Sequence, residues 1–361
     1  MTADRPVAVL CGGVGAARLL AGLVRVVAPE AVTAVVNTAD DLVLHGLAIS
    51  PDIDTVVYTV AGAIDPERGW GLRDESWRAM EALDRYGGET WFGLGDRDLG
   101  THLYRTQRLA EGASPATVTA EIAAAWGLRL RVLPVSEQPL RTMVTLAGPS
   151  PAAGRAHDGP GGDRGGRDGG TAHQGDGPGG DGDAVRTAGG DPATAGDAGP
   201  EVGFQHYFVR LRHDVPVVSV RVAGAESARP SPGVVEAVAG AATVVIAPSN
   251  PLVSIAPVLA VPGVREAVAA RRDDVVAVSP IVGGQALKGP ADRLLRELGH
   301  EASVVGVARL YAPMAGTLVI DEVDAGRADE VRAVGMRCVV TDTIMRDPAA
   351  AAALAKVVLG R

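Results

Sequence analysis

The sequence has little cysteine, no long apolar run and no excess of basic residues. Its two cysteines, Cys11 and Cys338, are too few for a disulfide framework. No apolar run approaches the ~18 residues of a membrane span, and no signal peptide precedes the first predicted strand. The formal net charge of -9 argues against nonspecific nucleic-acid binding, which needs a basic surface. We therefore expect a cytoplasmic protein without a membrane or nucleic-acid partner.

Aromatic residues are also scarce, and they are unevenly placed. The chain has 3% aromatic residues, and most of them lie between Tyr58 and Trp126. Two segments of this stretch, 76–86 and 101–111, have the character of helices. We predict a mostly helical insertion or lid over residues 61–129. Its aromatic side chains either form the core of a small subdomain or stack on a flat heteroaromatic ligand.

Large apolar residues are almost absent from 151–200, where half of the positions are glycine or aspartate. Such a segment cannot offset its ordering entropy by burial. We predict a disordered insertion that carries no functional site. Residues 1–60 and 130–361 around it are expected to form the α/β core, with a strand over 203–210 that pairs with 141–146.

Glycines are concentrated where the first predicted strand, residues 6–10, turns into a helix. The segment reads Cys11-Gly12-Gly13-Val14-Gly15-Ala16-Ala17-Arg18. Glycines at a helix start let a phosphate approach the backbone N–H groups. The segment is not a P-loop, and it is only a partial dinucleotide fingerprint. Gly12, Gly13 and Gly15 therefore form either an anion cradle or a tight turn of any α/β protein, and Arg18 either binds phosphate or lies at the surface.

Polar residues follow the predicted strands 32–36 and 243–247. Asn37, Asp40 and Asp41 follow the first strand, and Ser249 and Asn250 follow the second. Parallel strands joined by helices bring such ends to one edge of the sheet, where ligands bind. The pattern predicts a Rossmann-like, mostly parallel sheet flanked by helices, with the polar residues beside the glycines.

Two further carboxylates, Asp52 and Asp54, come shortly afterwards. They either cap a helix that begins near Thr55 or join Asp40 and Asp41 around a Mg²⁺ ion.

Arg97 lies between Asp96 and Asp98 in a glycine-bounded loop. It either forms a structural ion pair or binds an anion in a fixed orientation, and Asp98 or Thr101 is a candidate cap for the next helix.

Residues 303–307 are predicted as a short strand.

Six of these segments together resemble the 2-phospho-L-lactate transferase family of coenzyme F-420 biosynthesis, in order and across nearly the whole chain outside 151–200. They are the glycine segment, Val35-Val36-Asn37-Thr38-Ala39-Asp40-Asp41, Ser50-Pro51-Asp52-Ile53-Asp54-Thr55, Gly95-Asp96-Arg97-Asp98 with Thr101-His102, Ala247-Pro248-Ser249-Asn250-Pro251 with Ser254-Ile255, and Ser279-Pro280-Ile281. The segment Ile64-Asp65-Pro66-Glu67-Arg68-Gly69-Trp70-Gly71 resembles the actinobacterial phosphoenolpyruvate transferase branch.

The resemblance implies an enzyme that moves a phosphoenolpyruvyl or 2-phospholactyl group from its guanosine diphosphate adduct to the ribityl hydroxyl of 7,8-didemethyl-8-hydroxy-5-deazariboflavin. GMP leaves, and (dehydro) coenzyme F-420-0 forms. The resemblance also implies a Mg²⁺ requirement and a homodimer.

Combining the resemblance with the expected strand-end positions assigns these roles. Gly12, Gly13 and Gly15 face the donor phosphates, and Asn37, Ser249 and Asn250 line the guanosine side. Asp40 and Asp41 hold the metal. Asp54 and Arg97 bind the acceptor, and Asp40 and Asp54 are the candidate catalytic carboxylates.

Two other classes compete with this interpretation. A nicotinamide-dependent oxidoreductase would use the same glycine turn, but it needs an acidic ribose-binding residue at the second strand end, where Asn37 stands. A non-enzymatic nucleotide-binding regulator would not need several carboxylates beside the glycines. The sequence does not distinguish phosphoenolpyruvate from 2-phospholactate as the transferred group.

Overall fold

The computed structural model describes residues 5–148 and 198–360. Its strands are β1 (Val7–Cys11), β2 (Val32–Val36), β3 (Leu42–Leu44), β4 (Leu47–Ile49), β5 (Arg131–Pro134), β6 (Arg141–Ala147), β7 (Ala198–Gly203), β8 (Val217–Ala223), β9 (Thr243–Ile246), β10 (Val275–Val278), β11 (Ile281–Val282), β12 (Gln285–Ala286), β13 (Thr317–Ile320) and β14 (Arg337–Val340).

The helices are α1 (Gly13–Leu23), α2 (Pro51–Val60), α3 (Arg78–Arg85), α4 (Asp98–Ala110), α5 (Pro115–Ala125), α6 (Val234–Gly240), α7 (Ala256–Ala260), α8 (Val264–Ala269), α9 (Ala291–Glu297), α10 (Val304–Tyr311), α11 (Ala328–Ala333) and α12 (Pro348–Val358). Among the described residues, no helix combines the length and apolar character needed to cross a bilayer.

A seven-stranded sheet in the order β14-β13-β10-β9-β1-β2-β5 organises the chain. Every neighbouring pair in it is parallel. From β1 the chain first adds β2 on one side and later β9 on the other, so the strand order reverses at β1. This is the position at which open α/β sheets bind ligands, beyond the carboxyl ends of the strands. The predicted Rossmann-like α/β class is confirmed.

Apolar side chains on the two faces of the sheet form two separate cores. Along β1, Ala8 and Leu10 belong to one core, and Val7, Val9 and Cys11 belong to the other. The alternation follows from the two-residue period of a strand, and burial on both faces is what a parallel sheet with helices on each side requires. On the second face α1 packs against α12. A Cβ at Gly22 would lie 2.3 Å from the Ala351 carbonyl oxygen, so this close helix contact requires glycine.

The segment 61–129 holds α3, α4 and α5, with a long loop between α3 and α4 and a short connection between α4 and α5. Its aromatic residues are partly core and partly exposed. Trp126 is half-buried and meets the buried Tyr58 of α2 edge to face, whereas Tyr86 is 88% exposed. The division of the chain at 61 and 129 stays a prediction.

A small antiparallel sheet, β7-β6-β8, is formed by the part of the chain between β5 and β9 of the main sheet. Residues 151–197 of the predicted insertion lie outside the described residues. The prediction is wrong for residues 198–200, which begin β7. The strand expected over 203–210 lies earlier, since β7 pairs with β6 over Ala198–Gly203 and a π-helix occupies His206–Arg210.

Two further local predictions were wrong. Residues 303–307 begin the helix α10 rather than a strand, with the Ser303 side chain accepting the N–H bonds of Val305 and Gly306. Helix α2 begins at Pro51, so Asp52 and Asp54 lie inside its first turn, and neither side chain caps it.

Candidate active site

The glycine segment forms the turn from β1 into α1. Gly13 has a φ of +71°, a conformation that glycine adopts without strain. Its N–H donates to Oδ1 of Asp52 at 2.9 Å. A Cβ at Gly12 would lie 2.6 Å from Oδ2 of the same carboxylate. The start of α1 therefore packs directly against the Asp52 side chain.

The loop after β9 packs on the other side of the glycines. A Cβ at Gly15 would lie 2.3 Å from the Pro248 carbonyl oxygen, so the approach of this loop requires glycine. Ser249 Oγ donates to the Gly12 carbonyl oxygen at 2.8 Å. The side chain of Asn250 accepts the Leu252 N–H at 2.9 Å and caps the π-helix Pro251–Ile255. The two predicted loops thus meet at one edge, whereas their roles toward phosphate and guanosine stay predictions.

Asn37, at the end of β2, joins two carboxylates. Its Nδ2 donates to Oδ2 of Asp52 at 2.9 Å and to Oδ2 of Asp40 at 3.2 Å. Its Oδ1 accepts the Ala39 N–H, which fixes the orientation of the amide. All three side chains belong to buried residues. Oδ1 of Asp40 has no hydrogen-bond partner among the described residues.

Burial dominates the electrostatics of these carboxylates. It raises the pKa of Asp52 to about 6, against the hydrogen bonds from Asn37 and Gly13. Burial, followed by the charge of Asp52, raises the pKa of Asp40 well above its usual range. Two buried carboxylates that share one amide need a cation or a proton. A divalent cation fits this donor set, because hard cations prefer carboxylate oxygens.

Asp41 makes different contacts from its neighbour Asp40. Its Oδ2 accepts from Ser50 Oγ at 2.9 Å, and its buried Oδ1 has no hydrogen-bond partner in the described part of the chain. Burial raises its pKa to about 8. Asp41, Ser50 and Arg105 line a cavity of about 200 Å³ whose remaining walls are mostly apolar, including Ile49, Leu109 and Val118.

Asp54 lies in a buried charged cluster between α2 and α4. Both of its oxygens accept from the Arg105 guanidinium, Oδ2 from Nη1 at 3.1 Å and Oδ1 from Nη2. His102 bridges this pair to Asp98, with ring nitrogens 3.7 Å from Asp54 and 3.4 Å from Asp98. Tyr58 donates to Oδ1 of Asp98 at 2.6 Å. Asp54, Asp98 and His102 are close enough to share a cation, but the Arg105 guanidinium already balances Asp54.

Arg97 is exposed, and in the described part of the chain its guanidinium makes no ion pair with this cluster, although Asp98 is its neighbour in the sequence. Its Nη1 donates to the Arg73 carbonyl oxygen at 2.8 Å. The expected capping by Asp98 or Thr101 is wrong. The Glu75 carboxylate instead accepts the N–H bonds of Arg97 and Asp98 at the start of α4. The role of Arg97 toward the acceptor stays a prediction.

Comparison with known proteins places the chain in a family. The model of the 2-phospho-L-lactate transferase CofD family matches residues 7–357. The chain belongs to this family. It is 40% identical to the phosphoenolpyruvate transferase of Streptomyces griseus, over 97% of this chain and 96% of that protein. It is 36% identical to the phosphoenolpyruvate transferase of Mycolicibacterium smegmatis, over 97% of this chain and 96% of that protein.

Solved structures support the fold of this CofD family member. A crystal structure of a upf0052 family protein from Bacillus halodurans is similar, with a TM-score of 0.55 and 15% identity over 99% of this chain and 100% of that one. The family match and the two phosphoenolpyruvate transferase relatives show that the chain is an enzyme, a transferase of the CofD family, and none of these matches supports the oxidoreductase alternative.

Arg105 and Glu75 were not predicted from the sequence as site residues. The signal for Arg105 was available, because Asp98, His102 and Arg105 stand at i, i+4 and i+7 and so share one face of a helix. Glu75 is separated from α4 by α3 and the loop that follows it, and no spacing rule predicts such a contact.

Proposed function

We propose that the protein transfers a phosphoenolpyruvyl or 2-phospholactyl group from its guanosine diphosphate adduct to the ribityl hydroxyl of 7,8-didemethyl-8-hydroxy-5-deazariboflavin. The products are GMP and (dehydro) coenzyme F-420-0. The observation that carries the proposal is the family match over residues 7–357. The relatives named phosphoenolpyruvate transferase favour the phosphoenolpyruvyl donor. The resemblance further implies a cytoplasmic homodimer.

The donor is assigned to the edge formed by the glycine segment and the loop after β9. Gly12 and Gly13 stand at the start of α1, where the helix dipole favours anions. Ser249 and Asn250 lie on the adjoining loop, and Ser249 is bonded to Gly12. Asn37 is fully buried. In this conformation its Nδ2 donates to Asp40 and Asp52 and its Oδ1 accepts from Ala39, so the amide has no N–H left to donate to guanosine.

Mg²⁺ is assigned to Asp40 and Asp52. The sequence analysis predicted Asp40 and Asp41, but it is Asp52 that shares the Asn37 amide with Asp40, whereas Asp41 bonds to Ser50. Oδ1 of Asp40 makes no hydrogen bond among the described residues, although the Thr142 hydroxyl lies near this carboxylate, and this free oxygen supports the assignment. Bound here, Mg²⁺ would neutralise charge on the diphosphate.

The acceptor is assigned to the cavity beside Asp41. Its mostly apolar walls suit a flat ring system, and Asp41 and Arg105 are among the polar residues on its lining that could bind the polar groups of the acceptor. Asp54 is absent from that lining, and both of its oxygens bind Arg105. We therefore propose that Asp54 acts on the acceptor through Arg105, as a positioning residue.

The chemistry needs little covalent participation by the protein. A bond forms between the ribityl oxygen and the distal phosphorus, and the bond from that phosphorus to the bridging oxygen breaks. The electron pair leaves with GMP, and the hydroxyl proton passes to a base. Asp40 is the candidate base, and Mg²⁺ bound beside it would keep this carboxylate ionised against the burial that raises its pKa. Positioning and charge stabilisation supply most of the rate in such transfers.

Ligand binding tests the proposal against the oxidoreductase class. Thermal shift is measured with GDP plus Mg²⁺, with the deazaflavin and with NADH. We expect GDP and the deazaflavin each to raise the melting temperature and NADH to leave it unchanged. Stabilisation by NADH alone would contradict the proposal.

A further inference from the structure

Two cations lie beside the first turns of α1 without a carboxylate partner among the described residues. Arg18 is half-buried, and its guanidinium makes one long hydrogen bond, 3.4 Å from Nη1 to the Met345 carbonyl oxygen. Lys288 is exposed and stands between β12 and α9. Partial burial, and then the positive charge of Arg18, lower the pKa of Lys288. The two cations are therefore close enough to repel each other.

The position of the Lys288 ammonium follows from its contact with Gly69. A Cβ built at Gly69 would lie 2.6 Å from Nζ of Lys288 and 3.7 Å from Cγ1 of Val14. Val14 is the residue after Gly13 in the first turn of α1. The ammonium group of Lys288 therefore lies near the start of α1, in the space that a side chain at Gly69 would occupy.

The charges around the glycine segment explain why extra cations are needed there. Asp52 already accepts the Gly13 N–H, so one of the donors at this helix start serves a carboxylate of the protein. Asp40 stands beside Asp52, and together these carboxylates oppose the approach of an anion. Two adjacent cations with no carboxylate of their own would offset that repulsion.

We infer that Lys288 and Arg18 bind phosphate oxygens of the diphosphate donor at the start of α1. The inference rests on the proposed function for the identity of the donor as a guanosine diphosphate adduct. Lys288 is the residue that neither the predicted roles nor the proposed function uses.

Lysine is rare in this chain, which gives a clean chemical test. The sequence contains two lysines, Lys288 and Lys356. Lys356 is exposed in the last turn of α12, and it serves as an internal control. An amine-reactive reagent labels both, and mass spectrometry of peptides measures the rate at each site. We expect inorganic pyrophosphate with Mg²⁺ to slow labelling of Lys288 at least ~10-fold and to leave Lys356 unchanged.

Calorimetric titration measures the same contact through affinity. Lys288→Gln should weaken GDP binding ~10- to 150-fold, as expected for loss of a charge-assisted contact. Lys356→Gln should leave the affinity for GDP unchanged, and Lys288→Gln should leave deazaflavin binding unchanged. Circular dichroism of each variant establishes that the fold is retained.

The two experiments separate failure of the inference from failure of the proposed function. Equal GDP affinity in Lys288→Gln and wild type, with unprotected Lys288, would overturn the inference and leave the proposed function standing. Protection of Lys288 by pyrophosphate in a protein that does not bind GDP would support the anion site and contradict the guanosine donor.

Discussion

Arg105 donates hydrogen bonds to both carboxylate oxygens of Asp54 and so joins α4 to α2 through a buried ion pair. The side chains are 5% and 7% exposed. Burial raises the pKa of Asp54, and the Arg105 charge opposes that rise. The pair lies behind the cavity wall to which Arg105 contributes, so its integrity matters both for stability and for the proposed acceptor site.

Removing one member of this pair should be costly. Arg105→Met leaves a buried carboxylate unpaired, which we expect to lower the free energy of unfolding by ~3–5 kcal/mol. Adding Asp54→Asn should recover part of that loss, because the unpaired charge is removed. Arg129→Met is the control, since its pair with Glu30 is exposed and should contribute less than ~1 kcal/mol. Urea unfolding measures all four proteins, and equal losses in Arg105→Met and Arg129→Met would contradict this account.

Mg²⁺ dependence should separate the two adjacent aspartates. Asp40→Asn should reduce turnover by ~10²-fold, as for lost charge stabilisation of the transition state, and should abolish the activation by Mg²⁺. Asp41→Asn should preserve that activation, because Asp41 bonds to Ser50 beside the cavity. Steady-state rates across a Mg²⁺ titration measure both effects. Loss of Mg²⁺ activation in both Asp40→Asn and Asp41→Asn would support the original pairing of Asp40 with Asp41 as metal ligands.

The raised pKa of Asp52 predicts how pH and Mg²⁺ affect stability together. Because the folded carboxyl has a pKa of about 6, above its unfolded value near 3.9, the metal-free protein should lose stability as pH rises through this window. At pH 5 Mg²⁺ must displace the proton of the Asp52 carboxyl, whereas at pH 8 this carboxyl is already ionised. The rise in melting temperature with Mg²⁺ should therefore be larger at pH 8. Asp52→Asn should reduce the difference without removing it, because the pKa of Asp40 is also raised, and a larger rise at pH 5 in wild type would refute the assignment.

The boundary of β7 makes a prediction about the glycine- and aspartate-rich segment. Replacing residues 151–197 with a short Gly-Ser linker should leave turnover within about twofold, since composition gives this segment little apolar surface to bury. Extending the replacement to 151–203 removes β7, which pairs with β6, and should destabilise the small sheet. Turnover per folded molecule and melting temperature distinguish the two. A large loss of turnover in the first variant would reveal a role for the segment.

The main sheet was predictable because its strands have apolar, β-branched sequences bounded by polar turns. The same logic placed Gly12, Asn37 and Ser249 at one edge, where they meet. Local patterns failed where the deciding contact is distant. The apolar run at 303–307 resembles a strand, but Ser303 caps it as a helix. Asp52 was expected to cap α2, but it lies after Pro51 inside the first turn, and its carboxylate binds the N–H of Gly13, which is 39 positions away.

The fate of the ribityl oxygen tests the central claim most directly. The deazaflavin is prepared with ¹⁸O in its terminal ribityl hydroxyl and incubated with the purified protein, Mg²⁺ and either guanylylated donor. Mass spectrometry then locates the label. We predict a phosphodiester product that retains the ¹⁸O, with one unlabelled GMP released per product. Release of labelled GMP, or consumption of the donor without any phosphodiester of the deazaflavin, would contradict the proposed transfer.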